Sequence, residues 1–97
     1  MTQGYSYCRQ MLERITDMVE GVADVKGYDE PARGNYQILC LFRYPVGTVL
    51  AIDDYYNQMQ DVLGLEWPLK LSVEQAGDGT IIAKISARFK YENGKVQ

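Results

Sequence analysis

Apolar residues recur with a helical period along the first quarter of the chain. The apolar positions on one helix side are Cys8, Met11, Ile15, Met18 and Val22. Residues three and four positions apart share a helix face, so the pattern predicts a first helix over residues 5–24, with Gly27 near its end. Segment 26–35, which holds two glycines and a proline, is predicted to be a loop.

A strand-like segment follows this loop. Residues 36–44 are apolar on both faces at their centre, which predicts a strand that is covered on both sides. Thr48 is then placed to cap a second helix, which Gly64 closes. An alternative takes residues 48–52 as a strand and Asp53 as the helix cap, because Thr-Val-Leu-Ala-Ile is also strand-like.

The last third of the chain alternates between apolar and polar residues. Residues 67–73 and 81–91 each show a period of two, and the segment 77–79, Gly-Asp-Gly, separates them. This pattern predicts a β-hairpin with one solvent-exposed face. Keeping the apolar faces together pairs Val73 with Ala83 and leaves a three-residue loop whose last glycine is left-handed.

These elements predict an α+β fold in the order α-β-α-β-β. The simplest packing is a two-layer α/β sandwich, in which two helices cover one face of a three-stranded, mainly antiparallel sheet. The chain has 97 residues, enough for one hydrophobic core, so a single domain over residues 1–97 is expected. No internal repeat is evident in the sequence.

Composition restricts the chemistry. The chain has no histidine and no Cys-x-x-Cys motif, so the sequence predicts no catalytic residue, no metal site and no cofactor, and we expect a protein that is not an enzyme. Cys8 and Cys40 lie in apolar patterns and are expected to be reduced thiols of a cytoplasmic protein. No apolar run is long enough to span a membrane, and no secretory signal is expected.

Acidic residues form a column on the predicted first helix, opposite its apolar side. Like charges three and four residues apart repel, so the column suggests a ridge that docks on a basic partner, extended by the loop that follows. The residues assigned to this contact are Glu13, Asp17, Glu20, Asp24, Asp29 and Glu30. The leading hypothesis is a binding protein that inhibits a nucleic-acid-binding partner, or mimics nucleic acid, by protein–protein contact. Small acidic chains of this kind are typical of phage and mobile-element accessory proteins.

The predicted hairpin carries a basic face that supports an alternative. The net charge of the chain is −3, but residues 67–97 hold five basic and three acidic side chains. The basic residues on the polar face of the hairpin are Lys70, Lys84, Arg88 and Lys90. They suit the phosphates of a nucleic acid. No aromatic residue is interleaved with them in the hairpin, so stacking on bases is not predicted.

Two further hypotheses concern apolar and aromatic residues. If the helices cover one face of strand 36–44, the other face needs a cover, which a homodimer through this strand would supply. That face carries Leu39 and Leu41, or Ile38 and Phe42 if the strand is reversed. The alternative places one helix on each side of the sheet. The chain also has eight tyrosines, which favour surfaces that are partly apolar and partly wet. A pocket lined by tyrosines would bind a small molecule, so a small-ligand-binding sensor domain is a further alternative.

Overall fold

The computed structural model describes residues 4–48 and 51–91, which form two helices and one four-stranded sheet. In chain order the elements are α1 (Tyr5–Met18), β1 (Ala23–Glu30), β2 (Asn35–Pro45), α2 (Ile52–Leu63), β3 (Leu69–Gln75) and β4 (Thr80–Lys90). The sheet is antiparallel throughout, in the order β1-β2-β4-β3. The α+β class with two helices is confirmed, whereas the three-stranded sheet and the order α-β-α-β-β are wrong because β1 was not predicted.

The first helix is shorter than predicted, and this explains why strand β1 was not predicted. It ends at Met18, and Val19 at its carboxyl end is fully buried. Val19 and Val22 therefore continue the apolar period beyond the last helical turn. Gly21, with φ of +80°, then turns the chain into β1, a conformation that glycine adopts without strain.

Strand β1 occupies the last two residues of the predicted first helix and the first half of the segment 26–35, which was predicted as a loop. Four of its eight residues are charged and one is Gly27, a composition that is poor in strand formers. Such a composition is typical of an edge strand, where charges discourage pairing with other chains. Gly27 does not terminate a helix, because it lies in the middle of this strand opposite Ile38.

Strand β2 and the hairpin β3–β4 agree with the sequence. Val73 pairs with Ala83, and the Ala76 amide donates a hydrogen bond of 2.8 Å to the Thr80 carbonyl across the loop. Gly79 has φ of +92°, the left-handed conformation that a three-residue hairpin loop needs. Strands β3 and β4 each show a local alternation of apolar and polar residues, and this is why the hairpin could be predicted.

Helix α2 begins later than predicted. Ala51 stands at its amino end, so neither Thr48 nor Asp53 is the cap residue. The alternative strand over 48–52 falls partly on residues 49 and 50, which lie outside the described residues, and Ile52 already belongs to the helix. Gly64 ends α2 with φ of +79°, as predicted.

Both helices pack on one face of the sheet and form a single hydrophobic core with it. The aromatic centre of the core is Trp67, which stacks on Phe89 at 4.7 Å and meets Tyr36 edge-on at 6.5 Å. Residues Tyr36, Ile38, Cys40 and Phe42 of β2 alternate with half-buried residues on the other face. The helices therefore leave the opposite face of the sheet uncovered by the described residues.

The order of elements repeats along the chain. Each half is a helix followed by a two-stranded hairpin, and β2 and β4 pair at the centre while β1 and β3 form the edges. In each half, three buried residues spaced four apart run from the helix into the segment after it. They are Met11, Ile15 and Val19 in the first half and Met59, Leu63 and Trp67 in the second. This αββ repeat is structural, since the sequence showed none.

Candidate functional site

The face of the sheet that points away from the helices collects most of the basic side chains. We call this face the open face. It carries the even-numbered residues of β1, β3 and β4 and the odd-numbered residues of β2. Its basic residues are Lys26, Arg43, Lys70, Lys84, Arg88 and Lys90, and its acidic residues are Asp24, Glu30 and Glu74. Six positive and three negative charges give the open face a net charge of +3, against −3 for the whole chain.

Two ion pairs neutralise part of this charge. Arg43 Nη1 lies 3.8 Å from Asp24 Oδ2, and Lys84 Nζ lies 3.9 Å from Glu74 Oε1. All four side chains are strongly exposed, so these pairs stabilise the fold little. Within residues 4–48 and 51–91, no ion pair involves the other basic side chains of the open face, Lys26, Lys70, Arg88 and Lys90.

Three of these basic side chains line one cleft. Pro68 precedes β3, and the ladder with β4 begins only at Leu69 opposite Ala87. Because β3 starts there, the end of β4 has no strand partner on that side among the described residues, and an open cleft of about 580 Å³ lies beside it. Its polar and charged lining residues are Asn35, Gln37, Glu66, Lys70, Ser86, Arg88 and Lys90. The cleft thus combines three positive charges with amide and hydroxyl groups and one carboxylate.

An aromatic side chain lies on the same face. Tyr28 of β1 pairs with Gln37 of β2, which in turn pairs with Arg88 of β4. Neighbouring strands are about 4.8 Å apart, so the backbones at Tyr28 and Arg88 are separated by roughly 10 Å. Tyr28 is 46% exposed and thus accessible for stacking. The sequence missed it because residue 28 was assigned to a loop, although its position two residues from Lys26 is typical of one strand face.

The six acidic residues assigned to partner binding do not form one ridge. Glu13 and Asp17 are exposed on α1, but the helix ends before Glu20, which lies in the turn that follows. Asp24 lies on the open sheet face beside Arg43. Neighbouring strand residues point to opposite faces, so Asp29 and Glu30 diverge. The predicted column is wrong in its geometry, while a docking role for these residues stays a prediction.

Asp29 instead holds the end of β4 against the first hairpin. The Tyr91 hydroxyl donates a hydrogen bond of 2.6 Å to Asp29 Oδ1, and the Tyr91 amide donates one of 2.7 Å to the Gly34 carbonyl. Burial and then this contact with the carboxylate raise the pKa of Tyr91 to about 12. These bonds fix the chain immediately after Lys90, at the border of the cleft.

Two thiols and one indole N–H are buried in the core. Cys8 and Cys40 are free and buried, and burial raises the pKa of Cys8 to about 11 and that of Cys40 to about 12. Both thiols are therefore protonated near neutral pH and are poor nucleophiles. Trp67 Nε1 is buried without a hydrogen-bond partner in the described part of the chain. The same residues contain no cluster of three or more histidine, cysteine or acidic side chains that would hold a metal ion.

The predicted homodimer surface has a specific place in this sheet. Strand 36–44 corresponds to β2, whose two edges are already paired with β1 and β4. Only its side chains on the open face, including the half-buried Leu39 and Leu41, remain for a second subunit to cover. A dimer through this face stays a prediction.

The chain matches no protein-family model, no curated protein and no solved structure. Neither helix of the described residues combines the length and the hydropathy that crossing a membrane requires.

Proposed function

We propose that this protein is a non-enzymatic binding protein whose open sheet face binds single-stranded nucleic acid. The observation that carries the proposal is the cleft in which Lys70, Arg88 and Lys90 converge without an ion-pair partner among the described residues. Basic side chains that are not neutralised within the molecule release counterions when they meet phosphates, and this release drives binding.

The distribution of charge over the molecule supports this orientation. The open face is positive, whereas helix α2 on the other side carries Asp53, Asp54 and Asp61 and no basic residue. A nucleic acid is therefore attracted to one face and repelled from the other. The hypothesis of an acidic docking surface has less support, because the column on which it rested is broken after Asp17.

Single strands suit the face better than a duplex does. The exposed ring of Tyr28 can stack on an unpaired base, and the half-buried Leu39 beside it adds apolar contact. Asn35 and Gln37 offer amide groups to base edges within the cleft. A cytoplasmic location forms part of the proposal, and the two buried thiols agree with it.

Fluorescence anisotropy with labelled single-stranded DNA and RNA at several salt concentrations tests the proposal. Replacing Arg88 or Lys90 by Gln should weaken binding and reduce the slope of log affinity against log salt by about 0.7 for each phosphate that the variant no longer neutralises. Arg14→Gln removes the same charge from α1 on the opposite layer and should leave affinity and slope unchanged.

Tyr28→Ala separates stacking from charge. It should weaken binding to single strands by roughly 1–3 kcal/mol per base that stacks on the ring, with no change in the salt slope. The absence of any binding to single strands at micromolar protein and low salt would reject the proposal. Equal weakening by Arg14→Gln and Arg88→Gln would also reject the open face as the site.

A further inference from the structure

We infer that the free edge of β3 is a self-association site, through which two copies of this chain join their sheets in one antiparallel ladder. Among residues 4–48 and 51–91, strand β3 is the last strand of the sheet and pairs with β4 alone. Its inner face is also poorly covered by the helices, because Leu71 is 38% and Val73 is 56% exposed. An edge strand with exposed apolar side chains is a template for another strand.

The phase of the hairpin hydrogen bonds decides which residues face the free edge. Ala76 donates its amide hydrogen bond to Thr80, so even-numbered residues of β3 direct their backbone groups toward β4. Leu71 and Val73 therefore direct their amide and carbonyl groups away from the sheet, toward the free edge. These groups are available to a second strand while every bond inside the sheet is kept.

The sequence of β3 is complementary to itself in one antiparallel register. When the two strands are centred on Ser72, Lys70 of each copy lies opposite Glu74 of the other on the open face. Leu71 of each copy then lies opposite Val73 of the other on the inner face, and these are the pairs that exchange backbone hydrogen bonds. Opposite charges and apolar pairs directly across a ladder both stabilise it.

Neighbouring registers lack this match. Centring the pairing on Leu71 places Lys70 opposite Ser72, and centring it on Val73 places Glu74 opposite Ser72, so neither register joins opposite charges. The register on Ser72 is thus selected by side chains, and it is a two-fold symmetric contact of the kind that closes a dimer.

The other edge of the sheet is less suited to association. Strand β1, paired with itself around Gly27, would place Asp24 opposite Glu30 of the second copy, and like charges directly opposite each other destabilise a ladder. Centring on Tyr28 places Lys26 opposite Glu30, but the inner face then pairs Gly27 with Asp29 and gains no apolar contact. Centring on Val25 pairs Asp24 with Lys26 over only five strand residues, against seven in β3. Charge and apolar pairs along a whole strand occur together in β3, so β3 is the edge expected to associate.

Analytical ultracentrifugation over a range of concentrations tests this inference. The edge contact is small compared with the interfaces of stable dimers, so we expect a reversible monomer–dimer equilibrium in the micromolar range or weaker. Lys70→Glu and Glu74→Lys each place like charges in both symmetric pairs and should raise the dissociation constant at least about tenfold. The double variant restores opposite charges and should restore dimerisation.

A backbone variant provides an independent test. Val73→Pro removes an amide hydrogen that faces the free edge and leaves the bonds to β4 in place, so it should abolish the dimer while the circular dichroism spectrum is retained. Val73→Thr keeps that amide and the branched shape and should still dimerise. Hydrogen exchange at the Leu71 amide should slow as the concentration of the wild-type protein rises.

Three results would overturn the inference. The first is a wild-type protein that stays monomeric up to millimolar concentration. The second is a folded Val73→Pro variant that dimerises as the wild type does. The third is a double charge variant that fails to dimerise after both single reversals have weakened the dimer. Should Val73→Pro fail to fold, the charge variants decide alone.

Discussion

Gly27 shows how a single residue decides where an edge strand lies. A Cβ atom at this position would overlap the Tyr36 hydroxyl and come within 2.9 Å of Tyr36 Cζ and 3.0 Å of Leu12 Cδ2. The Tyr36 ring is almost fully buried and meets the rings of Tyr5 and Trp67 edge-on, so it has little room to move. The absence of a side chain at Gly27 is thus what allows β1 to pass over this ring.

Gly27→Ala is therefore expected to destabilise the fold. Overpacking at a fixed ring should lower the free energy of unfolding by ~1–3 kcal/mol, which urea denaturation measures. Gly77→Ala adds the same methyl group in open space and should change stability little.

Adding Tyr36→Phe removes the oxygen that the new Cβ meets. The destabilisation of the double variant should then be smaller than the sum of the two single effects. Additive effects would show that the hydroxyl does not cause the strain.

The sequence could not reveal this role of Gly27. A glycine near the end of an apolar period is most often a helix terminator, and the residue that needs its free space, Tyr36, is nine positions away. The tyrosine becomes a neighbour only through the pairing of β1 with β2. The reason for this glycine is therefore a contact between two elements, which no local pattern of residues reveals.

Individual elements were predictable where their own pattern defined them. Hairpin β3–β4, with its register and left-handed Gly79, followed from a period of two and a glycine-rich turn. Strand β1 was not predicted, because charged residues dilute its alternation and because Val19 and Val22 prolong the helical period before it. Edge strands tolerate such composition because they have a strand neighbour on one side only, and most side chains of β1 stay exposed.

Helix α2 carries an electrostatic conflict along its length. Asp53 and Asp54 lie in its first turn, where negative charge favours the helix dipole, but Asp61 lies near its carboxyl end and the last turn has no basic residue. Negative charge near that end opposes the dipole. The same residue type thus stabilises one end of α2 and destabilises the other.

Two isosteric substitutions in this helix should change the free energy of unfolding in opposite directions. Asp54→Asn should lower the free energy of unfolding by a few tenths of a kcal/mol, and Asp61→Asn should raise it by a similar amount. Thermal unfolding at low and high salt measures both, since screening should reduce each difference. The dipole argument does not hold if both changes shift stability in the same direction.

At the scale of the whole molecule, the candidate site arises from the order of the strands. The sequence indicated Lys70, Arg88 and Lys90 on one hairpin face, because their spacing in β3 and β4 is local. It could not place Tyr28 and Lys26 on the same surface, because that depends on β1 lying beside β2 and on β2 lying beside β4. Surfaces built from non-consecutive strands are not encoded in any single stretch of the chain.

The two proposals together give a prediction about the length of the bound strand. In the dimer centred on Ser72, the open faces of both copies form one continuous surface. The strand spacing and the rise per residue place the two Arg88 backbones about 30 Å apart across the two-fold axis. An oligonucleotide long enough to reach both clefts should bind more tightly than one that fills a single cleft, because the second contact is intramolecular. Val73→Pro should abolish this gain without weakening the short oligonucleotide, since residue 73 lies on the inner face. Anisotropy titrations with a short and a long oligonucleotide measure the gain, and a gain that persists in the folded Val73→Pro variant would show that length acts within one subunit.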